Sequence, residues 1–329
     1  MRALVTGVGG FVGRHLARHL VSCGVEVWGM TQPGVPLDDW EADVPIRLLE
    51  ADLKIREALG SVLSRAEFDQ IYHLAGATHV PSSWSDPCGT FQTNLNGTAN
   101  LLDEILTHAP QARLMIVSTA DVYGVSDPGR PVSEDDPVTP TSPYAISKLA
   151  AELLANAYHL KYGIDVVRVR PTGHTGPGQP PPFVLPSFCE RIAQVELGLC
   201  PPTLLVGNLN VERDFCDVRD VVRAYWLCMT RGKTGACYNV CGGRPRGLAD
   251  IVHGLTDRAQ VPIRVVVDPM RIRPEEARRL VLDPRNTRRD TGWEAEIPLE
   301  RTLDDMLADW RRRVRPVAET KAPPTPDDR

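Results

Sequence analysis

Long hydrophobic runs are missing from this 329-residue sequence, since no apolar stretch has the length needed to cross a bilayer. We expect no secretion signal either, because Met1 and Arg2 lead directly into a strand-like segment that glycines soon interrupt. An excess of positive charge is also absent: the net charge is −5, and the basic cluster at 311–313 is short. We therefore expect a cytoplasmic protein with neither a membrane nor a nucleic acid as its partner.

The eight cysteines do not follow the spacing of a disulfide framework or of a zinc site. Cys237 and Cys241 are separated by three residues, but no second pair of ligands accompanies them. Scattered thiols of this kind are typical of a reducing compartment. We expect reduced core or strand cysteines and no metal centre.

Apolar strand-like segments alternate with helix-like segments through the first half of the sequence. The predicted strands lie at 3–5, 25–29, 47–53, 71–76, 113–118 and 165–170. The predicted helices lie at 11–21, 55–63, 90–106 and 143–162, the last with Ser142 as N-cap, Pro143 in its first turn and Gly163 after its end. This alternation predicts an α/β fold with a Rossmann-type, doubly wound parallel sheet.

The composition changes after Pro171. The segment PTGHTGPGQPPPF is rich in proline and glycine and is predicted to be irregular. We expect it to lead from a dinucleotide-binding domain at 1–170, to which later segments return, into a smaller C-terminal lobe that binds substrate at 171–315. The polar, proline-rich tail at 316–329 is predicted to be disordered.

Three glycines, Gly7, Gly10 and Gly13, stand between the first strand and the first helix. Glycine permits the tight turn and lets a pyrophosphate approach the backbone, while the N–H groups that begin the helix bind the anion. Phe11 and Val12 lie within the same turn. A purely structural turn is the alternative, but the position in a strand–helix–strand unit predicts a bound dinucleotide.

The residues around the second strand favour NADP(H), although NAD(H) remains open. No acidic residue stands at the end of VEVWGMTQ, where NAD would need one for its ribose. Arg14 and Thr31 could instead face a 2′-phosphate, or Arg14 could be a solvated helix residue. Asp52 could contact the adenine edge or cap the helix predicted from Ile55 onward.

Tyr144 and Lys148 lie one helical turn apart and share a helix face. A neighbouring ammonium is expected to lower the pKa of the phenol, so that Tyr144 can donate and accept a proton. Thr119 follows the strand RLMIVS, at the edge of the sheet where ligands bind, and its hydroxyl could bind the same substrate oxygen. A turn cap is the alternative role for Thr119.

With these motifs, and with HLAG, TNLNGT, STADVYG, YAISK and RDFCDVRD, the sequence resembles the extended short-chain dehydrogenase/reductase family over residues 1 to about 312. It is most similar to the branch that contains reductases and 4,6-dehydratases of GDP-mannose derivatives. The resemblance implies an NAD(P)H-dependent oxidoreductase, and we expect reduction of the C4 ketone of GDP-4-dehydro-6-deoxy-D-mannose to GDP-D-rhamnose. A dehydratase or epimerase of nucleotide sugars is the alternative, and a non-catalytic nucleotide sensor is the remote one.

The resemblance also implies roles for individual residues. The catalytic set would be Thr119, Tyr144 and Lys148, with Asp121 as a further acid–base candidate. Cofactor contacts are implied for Asp52, Leu53, Leu74, Ala75 and Gly76, besides the glycine turn with Phe11, Val12 and Arg14 and the Tyr144–Lys148 pair. Substrate contacts are expected for His79, Asn94, His174, Asn208, Arg213, Arg273 and Glu276. A salt bridge between lobes is the alternative for Arg213 and Arg273.

Two departures from the family pattern bear on the reaction. Gly173 stands in RPTGH where the family has a substrate-binding asparagine, so one hydrogen-bond donor is lost. Asp121 stands where related dehydratases have the longer glutamate, which favours the reductase. The resemblance further implies a homodimer formed through helices near 90–108 and 143–162, and the apolar residues Leu149, Leu153, Leu154 and Leu160 could serve that contact or the core.

Overall fold

The computed structural model describes residues 1–35, 44–124, 129–272 and 279–319, with side chains described as far as residue 315. Its strands are β1 (Arg2–Thr6), β2 (Glu26–Thr31), β3 (Ile46–Glu50), β4 (Gln70–His73), β5 (Arg113–Val117), β6 (Val166–Pro171), β7 (His174–Thr175), β8 (Thr203–Val206), β9 (Glu212–Arg213), β10 (Cys216–Asp217), β11 (Cys237–Val240), β12 (Arg246–Gly247), β13 (Arg264–Val267) and β14 (Arg279–Leu280). Its α-helices are α1 (Phe11–Ser22), α2 (Arg56–Leu63), α3 (Val80–Ser85), α4 (Pro87–Phe91), α5 (Gly97–His108), α6 (Pro143–Tyr162), α7 (Val184–Glu196), α8 (Val218–Arg231), α9 (Leu248–Asp257), α10 (Arg285–Thr291) and α11 (Leu299–Glu319).

Seven parallel strands form the central sheet, in the order β11-β6-β5-β4-β1-β2-β3. This arrangement confirms the predicted Rossmann-type fold. The strand order reverses between β1 and β4, and in such sheets the ligand crevice lies beyond the carboxyl ends of the strands at that point. The ends of β1, β4, β5 and β6 therefore position the candidate site.

Helices cover both faces of the sheet, as a fully parallel sheet requires. On one face Val5 of β1 packs in a cluster with Leu16 of α1 and Tyr225 of α8. On the other face Leu4 packs with Leu59 of α2 and Leu101 of α5. Adjacent residues of β1 thus point to opposite faces, which explains why this strand is apolar throughout.

A separate hydrophobic cluster lies in the C-terminal half and unites α7, β8, α9 and α11. Its buried members include Ile192, Leu204, Ile251, Leu307 and Trp310. The chain does not stay there, because α8 packs on α1 and β11 pairs with β6 in the central sheet. The C-terminal half therefore contributes both to this cluster and to the sheet.

Several element boundaries differ from the sequence prediction. Strand β3 ends at Glu50 and β4 at His73, so Asp52 and the residues Leu74 to Gly76 lie in loops. The single helix predicted at 90–106 consists of α4, a π-helical turn at Gln92–Asn96 and α5. The segment after Pro171 is not wholly irregular, because β7 pairs with β10 through backbone hydrogen bonds. Helix α11 extends to Glu319, into the predicted tail, and residues 320–329 lie outside the described part of the chain.

Within the ranges that the structure describes, no helix is both long enough and apolar enough to cross a membrane.

Candidate active site

The glycine turn after β1 is closely packed against the loop after β4. Gly7 has a φ of +70°, and a Cβ there would lie 2.9 Å from the Cα and N of Ala75. A Cβ on Gly13 would overlap the Gly7 carbonyl oxygen and lie 2.7 Å from the Cα of Val8. Gly10, the N-cap of α1, offers no side chain to the first helical turn. This close-packed turn at a bare helix N-terminus fits a dinucleotide pyrophosphate.

Thr6 and His73 fix the loop at Leu74–Gly76 beside the turn. The Thr6 hydroxyl accepts hydrogen bonds from the N–H groups of Leu74 and Ala75, so its own proton is directed to His73 Nδ1 at 2.9 Å. His73 Nε2 then donates to Thr98 Oγ1 at 3.0 Å. Burial, assisted by the charge of Lys148, lowers the pKa of His73 to about 3. This histidine is therefore a neutral structural link at the end of β4.

Asn94 connects the same loop to α6. Its Oδ1 accepts from the Ala77 N–H at 2.7 Å, and its Nδ2 donates to the Ala77 carbonyl and to Ser147 Oγ at 2.9 Å. A Cβ on Gly76 would lie 2.8 Å from this Oδ1, which explains the glycine there. Asn94 lies in the π-helical turn, a feature that often occurs at functional sites. The predicted substrate residue thus has its polar atoms engaged in positioning the site.

Helix α6 begins as the sequence predicts and brings Tyr144 to Thr119. Ser142 Oγ accepts from the Ala145 N–H, Pro143 occupies the first turn, and Gly163 ends the helix in the left-handed conformation. The Tyr144 N–H donates to Ser83 Oγ at 3.2 Å, which positions the helix start against α3. The Thr119 side chain lies within hydrogen-bonding reach of the Tyr144 phenol. Thr119 also caps the 3-10 helix Ala120–Tyr123 by accepting from the Asp121 N–H, so the capping role is confirmed, while its contact with a substrate oxygen stays a prediction.

The expected lowering of the Tyr144 pKa is wrong for this structure. Burial and the nearby Asp121 carboxylate raise the pKa of the phenol, and only the hydrogen bond from Thr119 lowers it. The reason is that desolvation disfavours the charged form of any buried acid. The same burial lowers the pKa of Lys148 to about 8, against the attraction of Glu152. Tyr144 is therefore protonated at neutral pH.

Asp121 follows β5 and lies near Tyr144 and Arg213. Water reaches its side chain, but the surrounding protein raises the pKa of the carboxyl group, and the positive charge of Arg213 opposes that increase. Arg213 is half-buried in β9 and donates to the carbonyl of Glu212. The structure thus brings a titratable acid, a guanidinium and the Tyr144 phenol to one edge of the sheet.

The residues proposed for the adenosine part of the cofactor have local partners. Arg14 donates from Nε to the Gly9 carbonyl at 2.8 Å. Asp52 accepts from the Lys54 N–H at 2.9 Å, and its other oxygen lies 3.5 Å from Gln32 Nε2. It does not cap α2, whose N-cap is Ile55 without a side-chain hydrogen bond, so the helix-cap alternative is wrong. Thr31 is buried, and Leu53 packs against Gly97. Gln32, which sequence reasoning missed, is the exposed polar residue at the end of β2.

The remaining substrate candidates lie on separate elements. His79 is the N-cap of α3 and contacts the ring of Phe183 edge-on. His174 donates to the Thr172 carbonyl and stacks on Phe11, beside the glycine turn, while Asn208 accepts from the Asn210 N–H in a turn. Arg273 and Glu276 lie outside the described residues.

Position 173 has room for a side chain. Gly173 is exposed after β6, and a Cβ there would meet the Phe215 ring at 3.5 Å, an ordinary contact distance. Neither a positive φ nor a close backbone contact requires glycine at this point. Glycine in place of the family's asparagine therefore leaves open space at this position. It is not needed to avoid a steric conflict.

Two serines that sequence reasoning missed position the catalytic helix. Ser83 is buried and binds the backbone of Tyr144, and Ser147 binds both Asn94 and the Tyr144 carbonyl. Ser147 lies within the YAISK motif, so its position offered a signal. No local pattern indicated the role of Ser83, because its partner Tyr144 is 61 residues away in the sequence.

Comparison with known proteins agrees with this geometry. The family model described as GDP-mannose 4,6 dehydratase matches residues 4–306. The chain is 38% identical to a GDP-6-deoxy-D-mannose reductase of Pseudomonas aeruginosa over 315 residues, which cover 95% of this chain and 98% of the relative. It is 33% identical to a dTDP-glucose 4,6-dehydratase of Streptomyces antibioticus, with 98% of each chain covered.

The fold also matches solved structures. The protein RMD from Pseudomonas aeruginosa, solved in complex with NADPH, superposes with a TM-score of 0.83 at 36% identity, covering 95% of this chain and 99% of RMD. The matches in sequence and in structure extend over nearly the whole chain. The chain therefore belongs to the GDP-mannose 4,6-dehydratase family of extended short-chain dehydrogenases/reductases.

Proposed function

We propose that this protein uses NADPH to reduce the C4 ketone of GDP-4-dehydro-6-deoxy-D-mannose to GDP-6-deoxy-D-mannose, also called GDP-D-rhamnose. The main support is the hydrogen-bonded Thr119–Tyr144 pair, with Lys148 one turn further, in a chain 38% identical to a reductase of that name. Reduction of a ketone requires one positioned proton donor beside a hydride source, and this set provides the donor.

In this proposal residues 1–170 bind the cofactor and most of 171–315 binds the GDP-sugar. The glycine turn would hold the pyrophosphate, Leu74 to Gly76 would border the nicotinamide half, and Lys148 would bind its ribose. When bound, NADPH supplies the hydride that the C4 carbon accepts. NADPH is preferred to NADH because β2 ends without an acidic residue and because RMD was solved with NADPH.

Tyr144 would deliver the proton to the C4 oxygen. Its raised pKa keeps the phenol protonated until the substrate oxygen gains negative charge, and Thr119 holds the hydroxyl in place. The Lys148 ammonium would then stabilise the phenolate that remains. Arg213 would bind the diphosphate, to which a guanidinium is well suited, and Arg273 and Glu276 stay predicted contacts to the nucleotide.

A 4,6-dehydratase or an epimerase of a nucleotide sugar is the second candidate, and Asp121 is the observation that favours it. Dehydration needs a group that removes the C5 proton, and a cleft carboxyl with a raised pKa near Tyr144 is of the right type. Against it, aspartate is one methylene shorter than the glutamate of related dehydratases. A shorter side chain is poorly suited to a reaction that depends on close positioning.

We also propose a homodimer formed by α5 and α6. Ile146, Leu153 and Leu160 on α6 are exposed and follow one another at seven-residue intervals, so they lie along one helix face. Leu149 and Leu154 are instead packed against core clusters of the chain. The exposed row is a suitable surface for a second copy of the chain.

The test is turnover of synthetic GDP-4-dehydro-6-deoxy-D-mannose with NADPH and NADH in parallel. We expect oxidation of NADPH in proportion to product, with the C4 configuration of GDP-D-rhamnose in the NMR spectrum rather than that of the 6-deoxytalose epimer. GDP-mannose without added reductant should remain unchanged. Its conversion to the 4-keto sugar would reject the reductase in favour of the dehydratase.

A further inference from the structure

A buried carboxylate lies on α6 one helical turn after Lys148. Glu152 has no exposed surface, and its carboxylate accepts hydrogen bonds from Arg170 Nη2 at 2.7 Å and from Arg170 Nε at 3.1 Å. Arg168, on the same strand, approaches it to 3.7 Å. An acidic side chain is almost never fully buried unless it is paired. The two arginines are therefore the groups that allow a carboxylate to be buried at this position.

Arg170 is itself held in place from its other side. Its Nη1 donates to the Tyr123 hydroxyl at 2.8 Å, and that hydroxyl donates to Asn239 Oδ1 at 2.8 Å. Tyr123 ends the short helix that Thr119 caps. The Glu152 carboxylate therefore has a fixed position relative to both α6 and the loop that bears Thr119 and Asp121.

Glu152 is the charged group that favours the ammonium form of Lys148. The titratable or charged groups that face this region from the packed elements are His73, Asp121, Tyr123, Glu134, Tyr144, Arg168, Arg170 and Cys237. Burial raises the pKa of Tyr123 and of Cys237 and lowers that of His73, so all three are neutral at pH 7. Burial also works against the ammonium of Lys148, and the attraction of Glu152 opposes this effect.

We propose that Glu152 is a positioning residue for the reaction assigned above: held by Arg170, its carboxylate supplies the buried negative charge that keeps Lys148 an ammonium next to Tyr144. The effect on reduction rests on the proposed function, whereas the effect of Glu152 on the charge of Lys148 does not. Without this charge, nothing would oppose the effect of burial on Lys148, and the ammonium would lose its proton more easily. It would then stabilise the Tyr144 phenolate less well during reduction.

The first test follows Lys148 itself and needs no substrate. Competitive acetylation with acetic anhydride over a range of pH, read by peptide mass spectrometry with Lys54 as reference, gives the pH at which Lys148 is half deprotonated. In Glu152→Gln we expect this midpoint to fall by about one pH unit or more, because the opposite charge that favours the ammonium is removed. Glu152→Asp keeps the charge on a shorter side chain. Its midpoint should lie between those of the wild type and Glu152→Gln.

The second test measures kcat of the reductase against pH. The alkaline decrease of kcat should move to lower pH in Glu152→Gln by the same amount as the labelling midpoint, and Glu152→Asp should restore part of it. The matched control is Glu196→Gln, which breaks another carboxylate–arginine pair, with Arg311 at 2.7 Å, between α7 and α11. It is expected to lower the melting temperature but to leave both the midpoint and the pH profile unchanged.

A melting temperature that falls in Glu152→Gln with an unchanged Lys148 midpoint would overturn the proposal and leave Glu152 a structural residue. If Glu152→Gln does not fold, the Lys148 midpoint in Glu152→Asp decides between the two roles. A purely structural role of Glu152 predicts that this midpoint equals that of the wild type. If the wild-type enzyme does not reduce the GDP-sugar, the proposed function fails, while the labelling result still accepts or rejects the role of Glu152.

Discussion

At the scale of single residues, Tyr144 has the protonation state that a ketone reduction needs. Its burial and the neighbouring Asp121 carboxylate both favour the neutral phenol. A donor must hold its proton until the substrate oxygen becomes basic, so a raised pKa is compatible with the role of acid. Lys148, with a pKa lowered to about 8, limits the pH range over which the phenolate is stabilised.

Tyr144→Phe removes the donor while it keeps the ring and the packing of α6. We expect kcat to fall by roughly 10²- to 10⁴-fold, the usual contribution of a general acid, with NADPH affinity changed by less than about threefold. Steady-state kinetics and a fluorescence titration with NADPH measure the two effects. Tyr162→Phe, on the exposed end of the same helix, is the matched control. An unchanged rate in Tyr144→Phe would assign the proton to another group or favour a non-catalytic sensor.

His73 should make the folded chain sensitive to acid. Its pKa is about 3 in the folded protein and near the ordinary 6.5 when unfolded, so below pH 6.5 the unfolded chain binds a proton that the folded chain does not. The stability that neutral His73 contributes is complete above 6.5 and is lost as the pH falls toward 3.

Urea unfolding between pH 4 and 6 tests this expectation. In His73→Gln the decrease of the unfolding free energy should be smaller by up to about 1.4 kcal/mol per pH unit, the value for one proton. His253→Gln, at an exposed position of α9, serves as the control. Equal slopes in His73→Gln and the wild type would refute the assignment.

At the scale of elements, local patterns predicted the features whose whole signal lies within one segment. The glycine turn, the Ser142 cap and the Tyr144–Lys148 spacing each depend on residues within one turn or one helix. The contact of Asn94 with Ser147 spans 53 residues, and it could not be predicted because local periodicity contains no information on distant partners. The wrong direction for the Tyr144 pKa has the same origin, since burial is a property of the assembled fold.

The glycine turn provides an element-scale prediction. Gly13→Ala should reduce NADPH affinity at least tenfold and lower the melting temperature, because the new Cβ would overlap the Gly7 carbonyl and displace the turn. Gly254→Ala, within α9, is the matched control, since its Cβ would meet only the flexible end of Arg258 at 3.4 Å. That control should be neutral or more stable by about 0.5–1 kcal/mol. Unchanged NADPH binding in Gly13→Ala would show that the pyrophosphate does not bind at this turn.

At the scale of the whole molecule, the alternation of strands and helices was sufficient to predict the parallel sheet. The sequence did not locate β11, which joins β6 from beyond the C-terminal cluster. Four residues are too few for a clear periodic pattern, and pairing with a distant strand leaves no local trace. The roles of Leu149 and Leu154 were likewise undecided until the core contacts were known.

The proposed dimer predicts the effect of a charge on the exposed face of α6. Leu153→Glu should convert the protein from dimer to monomer, because it places a carboxylate in the centre of the apolar row. Leu199→Glu, an exposed leucine after α7, should leave the dimer intact. Light scattering after size exclusion gives the mass in each case, and a wild-type monomer would reject the proposal.

The position of β11 has a consequence for synthesis on the ribosome. Until residue 240 has emerged, β6 is an open edge whose unpaired N–H and C=O groups can bind another nascent chain. A gene fragment that stops at the end of β6 would leave this edge exposed permanently. Such a fragment should aggregate on expression, and the two halves of this polypeptide cannot be exchanged between relatives by a simple cut at that point.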